Sequence, residues 1–126
     1  MSGSRLAILL WSVSPDRADL AAAPFVYAAA AAALDAEVEV HFGGRGVRLL
    51  VQGVAAHLRA SEWSGETVYS LMKQAAANGA RFVACSTAAR AHVGPDESLI
   101  AEYSGPAGAA AFAERALDPA WRTLVF

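Results

Sequence analysis

The run Arg5-Leu6-Ala7-Ile8-Leu9-Leu10-Trp11-Ser12-Val13 constrains this chain more than any other stretch. Apolar residues follow one another from Leu6 to Trp11 without polar alternation. That is the pattern of a strand covered on both faces, and such strands belong to parallel sheets flanked by helices. Parallel neighbours need long crossover connections, and the residues that follow can supply them. Ser14-Pro15-Asp16 reads as a turn with capping residues. A helix then runs through Asp35, kinked or restarted at Pro24, because proline is best tolerated in a helix's first turn. Its apolar positions go nearly all the way round, which predicts burial by the sheet on one side and by a neighbouring subunit on another.

Glu37-Val38-Glu39-Val40-His41-Phe42 is the second strand, and its alternation predicts a half-exposed strand near a sheet edge. Gly43-Gly44-Arg45-Gly46 turns the chain. The spacing of Val47, Leu50, Val51, Val54 and Leu58 predicts a helix over 47–60, interrupted at Gly53. Ser61 to Gly65 is a connection carrying Trp63, a helix follows over Glu66 to Asn78, and Asn78-Gly79 is its stop signal. Arg81 to Cys85 is the third strand, with a helix starting at Ser86. Val93-Gly94-Pro95-Asp96 breaks that helix, and Asp96 can cap a short turn through Ile100. Gly105-Pro106 opens a last helix, Ala107 to Leu117, and Trp121 to Phe126 is the final strand. There is no repeat and no linker, so residues 1–126 read as one domain.

Strands alternating with helices give a three-layer α/β sandwich with a mostly parallel sheet and right-handed crossovers, and the simplest strand order is 2-1-3-4. In that order the winding reverses between the first and third strands, and ligands of such sheets bind beyond the carboxyl ends of the strands at the reversal. Those ends are Trp11-Ser12-Val13-Ser14 and Cys85-Ser86. Cys85 is the sole cysteine. Main-chain N–H groups and the positive end of a helix dipole stabilise an anion, so a strand-to-helix junction favours the thiolate form of a cysteine placed there. The N–H groups of Ser86 and Thr87 would face the sulfur, with Arg90 or His92 adding positive charge. Ser12, Ser14 and His41 complete the expected cleft, although a solvated edge position is the favoured reading of His41 taken alone.

Composition removes several classes of function. The formal charge of −2 leaves no basic field for nucleic acid. One cysteine cannot form an intrachain disulfide, so a reducing, cytoplasmic setting is expected. The longest uncharged run, Leu20 to Leu34, has 15 residues, whereas a membrane span needs about 20, and the apolar segment after Met1-Ser2-Gly3-Ser4-Arg5 is too short for an export signal. His41, His57, His92 and Cys85 match no zinc spacing, so no metal is expected. Gly43-Gly44-Arg45-Gly46 is neither a P-loop nor G-x-G-x-x-G and reads as a tight turn. With 56% hydrophobic and only 17% charged residues, the chain has apolar surface to bury between subunits.

The order of these parts resembles the DsrE/DsrF-like family of sulfur-relay proteins, which includes the TusD-like and YchN-like proteins. The resemblance lies in the apolar first strand and the alanine-rich helix leading to Ala36-Glu37-Val38-Glu39-Val40-His41-Phe42. It continues in Gly46-Val47, in Asn78-Gly79-Ala80-Arg81-Phe82-Val83-Ala84-Cys85-Ser86, in Gly105-Pro106-Ala107 and in the final Leu124-Val125-Phe126. It implies that Cys85 accepts a sulfane sulfur as a persulfide and passes it on without a cofactor. It also implies homo-trimers or homo-hexamers, with donor and acceptor proteins as partners. The rival expectation, from the residues alone, is an inert structural cysteine in a non-catalytic oligomeric module that binds a small ligand or a protein.

Overall fold

A computed structural model describes residues 3–126; Met1 and Ser2, the first residues of the expected domain and of the segment weighed as an export signal, lie outside them. Five strands, β1 (Arg5–Leu10), β2 (Glu37–Phe42), β3 (Arg81–Ala84), β4 (Tyr103–Pro106) and β5 (Arg122–Val125), form one all-parallel sheet in the order β4-β3-β2-β1-β5. Four α-helices connect them: α1 (Ala18–Ala33), α2 (Val68–Ala77), α3 (Ser86–His92) and α4 (Ala109–Leu117). From β1 to β4 the chain steps in one direction across the sheet, and right-handed crossovers keep the connections on one face. The return from β4 to β5 runs the other way, which puts α4 on the opposite face.

The expected order 2-1-3-4 is corrected in two places. β2 lies between β1 and β3, not at an edge, and the last strand pairs with β1 rather than with β3. The reversal of winding therefore falls between the two neighbours of β1. A strand at 103–106 also stands where the sequence predicts the opening of a helix. Gly105 (φ +139°) and Pro106 fit there because β4 is a short edge strand with a register shift opposite Phe82 and Val83. Proline's missing N–H and glycine's freedom are tolerated at such an edge.

Two helical expectations also change. Residues 47–60 form no α-helix. They are two 3-10 segments, Gly44–Leu50 and Ala55–His57, separated at Gly53, where φ is +88°. Gly43 is buried because the chain must pass close to the end of β1: a Cβ there would stand 3.3 Å from the Leu10 carbonyl oxygen. α1 is one helix with Pro24 inside it, and it ends at Ala33, with Leu34 as its C-cap, rather than at Asp35. Its carbonyls close in a Schellman motif, in which Ala36 N–H donates to Ala31 O and Asp35 N–H to Ala32 O. Asp35 occupies the left-handed position (φ +66°) usually given to glycine. Gly79 (φ +108°) plays the same part after α2, as the Asn78-Gly79 stop signal predicts. Thr67 caps the start of α2 by accepting from Ser70 N–H at 3.0 Å.

The main core lies between the sheet and the α1/α2 layer. Val38, Val40 and Phe42 point that way from β2, and Phe25, Phe42 and Phe82 form a triad with ring centroids 5.4–5.8 Å apart. Strand alternation sends Glu39 and His41 to the other face, beneath α4.

Candidate functional site

A cleft of about 430 Å³ opens at the carboxyl ends of β1, β2 and β3. β1 contributes Leu9 and, just beyond its end, Trp11. β2 contributes His41, Phe42 and the following glycines. Cys85 comes from the end of β3, Thr87, Ala88, Ala91 and His92 from α3, and Phe112 and Ala113 from α4. Almost the whole lining is apolar. Cys85 is a half-buried free thiol residue. It occupies the N-cap position of α3 with extended dihedrals (φ −67°, ψ 124°), and its side chain makes no capping hydrogen bond. Its N–H donates to Phe42 O at 3.1 Å, which fixes the junction against the end of β2.

The expected site residues separate into two groups. Cys85, His41 and Thr87 line one cleft. Ser86 and Arg90 are exposed on α3 outside the lining, so Arg90 adds no cationic wall to it, whereas His92 does line it. Ser12 is exposed, and Ser14 turns away to bond Asp16 (Oγ to Oδ2, 3.2 Å). Of the tryptophans, Trp11 walls the cleft and Trp121 is buried elsewhere. Trp63 stands almost fully exposed beside Arg59 and Arg17. Arg45 pairs with Asp16 at 3.1 Å on the surface.

His41 is the main departure from the sequence-based expectation. It is 4% exposed rather than solvated at an edge, because β2 is central and α4 covers it. Glu39, two residues earlier on the same face, is equally buried. Arg115 of α4 donates from Nε (3.0 Å) and Nη2 (2.9 Å) to the two carboxylate oxygens of Glu39. His41 Nε2 lies 3.1 Å from Glu39 Oε1, and the Phe112 ring meets the imidazole edge-on at 5.2 Å. The Arg115 guanidinium also stacks 4.2 Å from the Trp121 ring centre, a cation–π contact that holds the other end of α4.

Burial works to raise the Glu39 carboxyl, but the hydrogen bonds and charges of Arg115 and His41 outweigh it and hold the group below its ordinary value. Burial pushes the His41 imidazole down, against the pull of Glu39 and with the Arg115 charge adding to the effect. Glu39 is thus an ionised acceptor and His41 a neutral donor through Nε2–H. His41 Nδ1 has no partner. Leaving a buried nitrogen unpaired costs about 1–3 kcal/mol.

The pair Glu39 and Arg115 goes unread in the sequence. Its signal is three polar residues, Glu37, Glu39 and His41, on the same side of a strand otherwise built of Val and Phe. That pattern has two readings, an exposed edge or a buried ionic network, and only the strand's place in the sheet decides between them. Among the described residues no group of three or more His, Cys, Asp or Glu could hold a metal ion, and no helix is long and apolar enough to cross a membrane.

The class of fold is that of an all-parallel five-stranded sheet with a cleft at the carboxyl ends of β1, β2 and β3. The DsrE/DsrF-like family model matches residues 7–126, and the chain belongs to that family. Among solved structures it is similar to the ychN protein of E. coli, with a TM-score of 0.66 at 11% identity over 100% of both chains. It is also similar to MTH1491 of Methanobacterium thermoautotrophicum, a protein of unknown function, with a TM-score of 0.60 at 22% identity over 98% of this chain and 99% of that one. At these identities the likeness is one of fold. No curated protein matches the sequence.

Proposed function

We propose that this protein is a sulfur carrier in which Cys85 receives sulfane sulfur as a persulfide and hands it to an acceptor. The observation that supports the reading is the position of the only cysteine, in the wall of a cleft at the strands' carboxyl ends, in a family associated with sulfur relay. The transfer needs no cofactor. The Cys85 thiolate attacks the outer sulfur of a donor persulfide R–S–SH. The new S–S bond forms as the donor's S–S bond breaks, and the electron pair leaves with R–S⁻, which takes a proton from water. Cys85 is left as Cys–S–SH. An acceptor thiolate then attacks the outer sulfur and releases Cys85 as thiolate, so sulfur moves with no net oxidation.

Intact-mass analysis after incubation with a sulfane-sulfur donor tests this, with Cys85→Ser alongside. The expected result is a gain of about 32 mass units per sulfur, reversed by reductant and absent in the variant. No gain in the wild-type protein overturns the reading. A second reading, a non-catalytic module that binds a small ligand, is favoured by the almost wholly apolar lining of the cleft.

The working form is a homo-oligomer, a trimer or hexamer. Leu20, Tyr27 and Leu34, each about half exposed, recur every seven residues along the outer side of α1, an apolar stripe suited to a second subunit. Tyr27→Glu is expected to reduce the mass measured by light scattering to that of a smaller assembly or a monomer. An unchanged mass removes this surface from the interface.

A further inference from the structure

The two edges of the sheet are finished differently. At one, β4 carries Gly105 (φ +139°), Pro106 and a register shift opposite Phe82 and Val83, features that spoil an edge strand as a template for further pairing. At the other, β5 has none of them. Arg122-Thr123-Leu124-Val125 keeps an unbroken register with β1, and among the described residues no strand lies beyond it. All four residues are exposed, Leu124 at 40% and Val125 at 61%.

The hydrogen bonds to β1 fix which main-chain groups this edge leaves free. Phe126 N–H donates to Leu9 O at 2.9 Å, and Phe126 O accepts from Trp11 N–H at 2.8 Å. The N–H and C=O of one strand residue point to the same side, and those of the next residue to the other. Leu124 therefore also faces β1, and Thr123 and Val125 present both groups outward. An antiparallel strand of the same sequence can match such a pair about a two-fold axis. Thr123 opposite the partner's Val125 exchanges two bonds, and the symmetry repeats them to give four. Val125 opposite itself gives only two. Thr123 opposite itself needs further bonds from Trp121, which is buried and whose N–H already donates to Asp118 O at 3.0 Å.

The side chains agree with the four-bond register. Arg122, Leu124 and Phe126 lie on the α1 side, where Phe126 stacks on Tyr27 with ring centres 6.0 Å apart. Leu124 meets its own copy at the axis. The strand's one charged residue, Arg122, meets the partner's Phe126 rather than another arginine, so a cation–π contact replaces a clash of like charges. On the other side Val125 packs against the partner's Thr123. Tyr27, of the half-exposed apolar stripe on α1, borders the same contact.

We propose that β5 pairs antiparallel with β5 of a second copy, joining two five-stranded sheets into one of ten strands. The contact goes beyond the sulfur-carrier reading and does not depend on Cys85. It makes the assembly even-numbered: of a trimer and a hexamer, only the hexamer can contain a two-fold axis.

Amide hydrogen exchange on the wild-type chain tests the pairing directly. Thr123 and Val125 should be protected about as strongly as Leu124 and Phe126, whereas an edge with no partner strand would alternate, with Thr123 and Val125 fast. Val125→Pro tests it by perturbation. The N–H it removes points away from β1, an orientation in which an edge strand tolerates proline, so the fold is kept while two of the four bonds are lost and the ring obstructs the partner strand. Light scattering at the same concentration should give an even number of chains for the wild type and half that mass for the variant, with an unchanged far-UV circular dichroism spectrum. Fast exchange at Thr123 and Val125, a monomer or an odd number of chains, or a folded variant of unchanged mass overturns the proposal. Should the variant not fold, wild-type exchange and mass still decide. Sulfane-sulfur uptake by a protein whose Thr123 and Val125 amides exchange fast leaves the carrier reading standing without this contact; slow exchange in a protein that takes up no sulfur does the reverse.

Discussion

Arg115→Met isolates the contribution of the buried Glu39 pair. Methionine keeps an unbranched stem over Trp121 and removes both hydrogen bonds to Glu39. Breaking a fully buried pair costs about 3–5 kcal/mol. The Arg115 side chain is 34% exposed against 5% for Glu39, so solvent already screens its half, and the expected loss is about 2–3 kcal/mol at pH 7. The pH dependence gives a second handle. In the wild type Glu39 titrates below its ordinary value, so its contribution is complete above that value and is lost only as the pH falls through the lower, folded one. Without Arg115, burial is opposed by His41 alone, and the Glu39–His41 pair takes up a proton in the folded state that it does not hold in the wild type. The gap between variant and wild type should therefore shrink as the pH is lowered from 8 to 5. Urea unfolding followed by tryptophan fluorescence and far-UV circular dichroism at each pH measures it. A loss under about 0.5 kcal/mol at pH 7, or one that grows toward acid, refutes the argument. Adding Glu39→Gln to the variant should recover part of the loss, because the uncompensated charge goes with it.

The remaining predictions concern stability at single positions. Because the folded His41 imidazole titrates below its ordinary value, the unfolded chain binds a proton first as the pH drops below about 6.5, and wild-type stability falls from there downward. His41→Phe should lack that slope, so plots of urea midpoint against pH between 7 and 5 should converge; parallel plots count against it. Phe82→Ala opens the aromatic triad at a fully buried position and should cost about 3–5 kcal/mol in chemical denaturation, a cost under 1 kcal/mol contradicting the packing described. Asp35→Gly relieves a left-handed residue at the end of α1 and should stabilise by about 0.5–1 kcal/mol, read as a rise of several degrees in melting temperature; a fall would show that the aspartate side chain contributes something the backbone argument omits.

The family, the all-parallel character of the sheet's first three strands and the position of Cys85 were legible because each rests on local pattern. An unbroken apolar run needs cover on both faces. Asn78-Gly79 ends a helix wherever it falls, and a strand that stops at Ala84 leaves the next residue at a junction. Strand order was not legible, since β2 and β5 could each pair with either edge of β1 and no turn fixes the choice in a parallel sheet. From that one ambiguity the reading of His41 follows: on an edge its polar ring meets water, in the centre it must meet Glu39. β4 escaped because Gly105 and Pro106 carry the same signal at a helix start and at the end of a short edge strand. Arg115 could not be found from the sequence, for nothing within α4 names a partner on a strand 76 positions earlier.

β5 lies against β1, with Leu6 opposite Arg122 and Leu9 opposite Val125, so one side of the apolar β1 is closed by a strand far along the chain from it. Pairing strands so distant in sequence is the slowest kind of contact to form, and until it forms that edge of β1 stays open to any other strand. Loss of β5 would therefore expose a sticky edge rather than merely trim the surface.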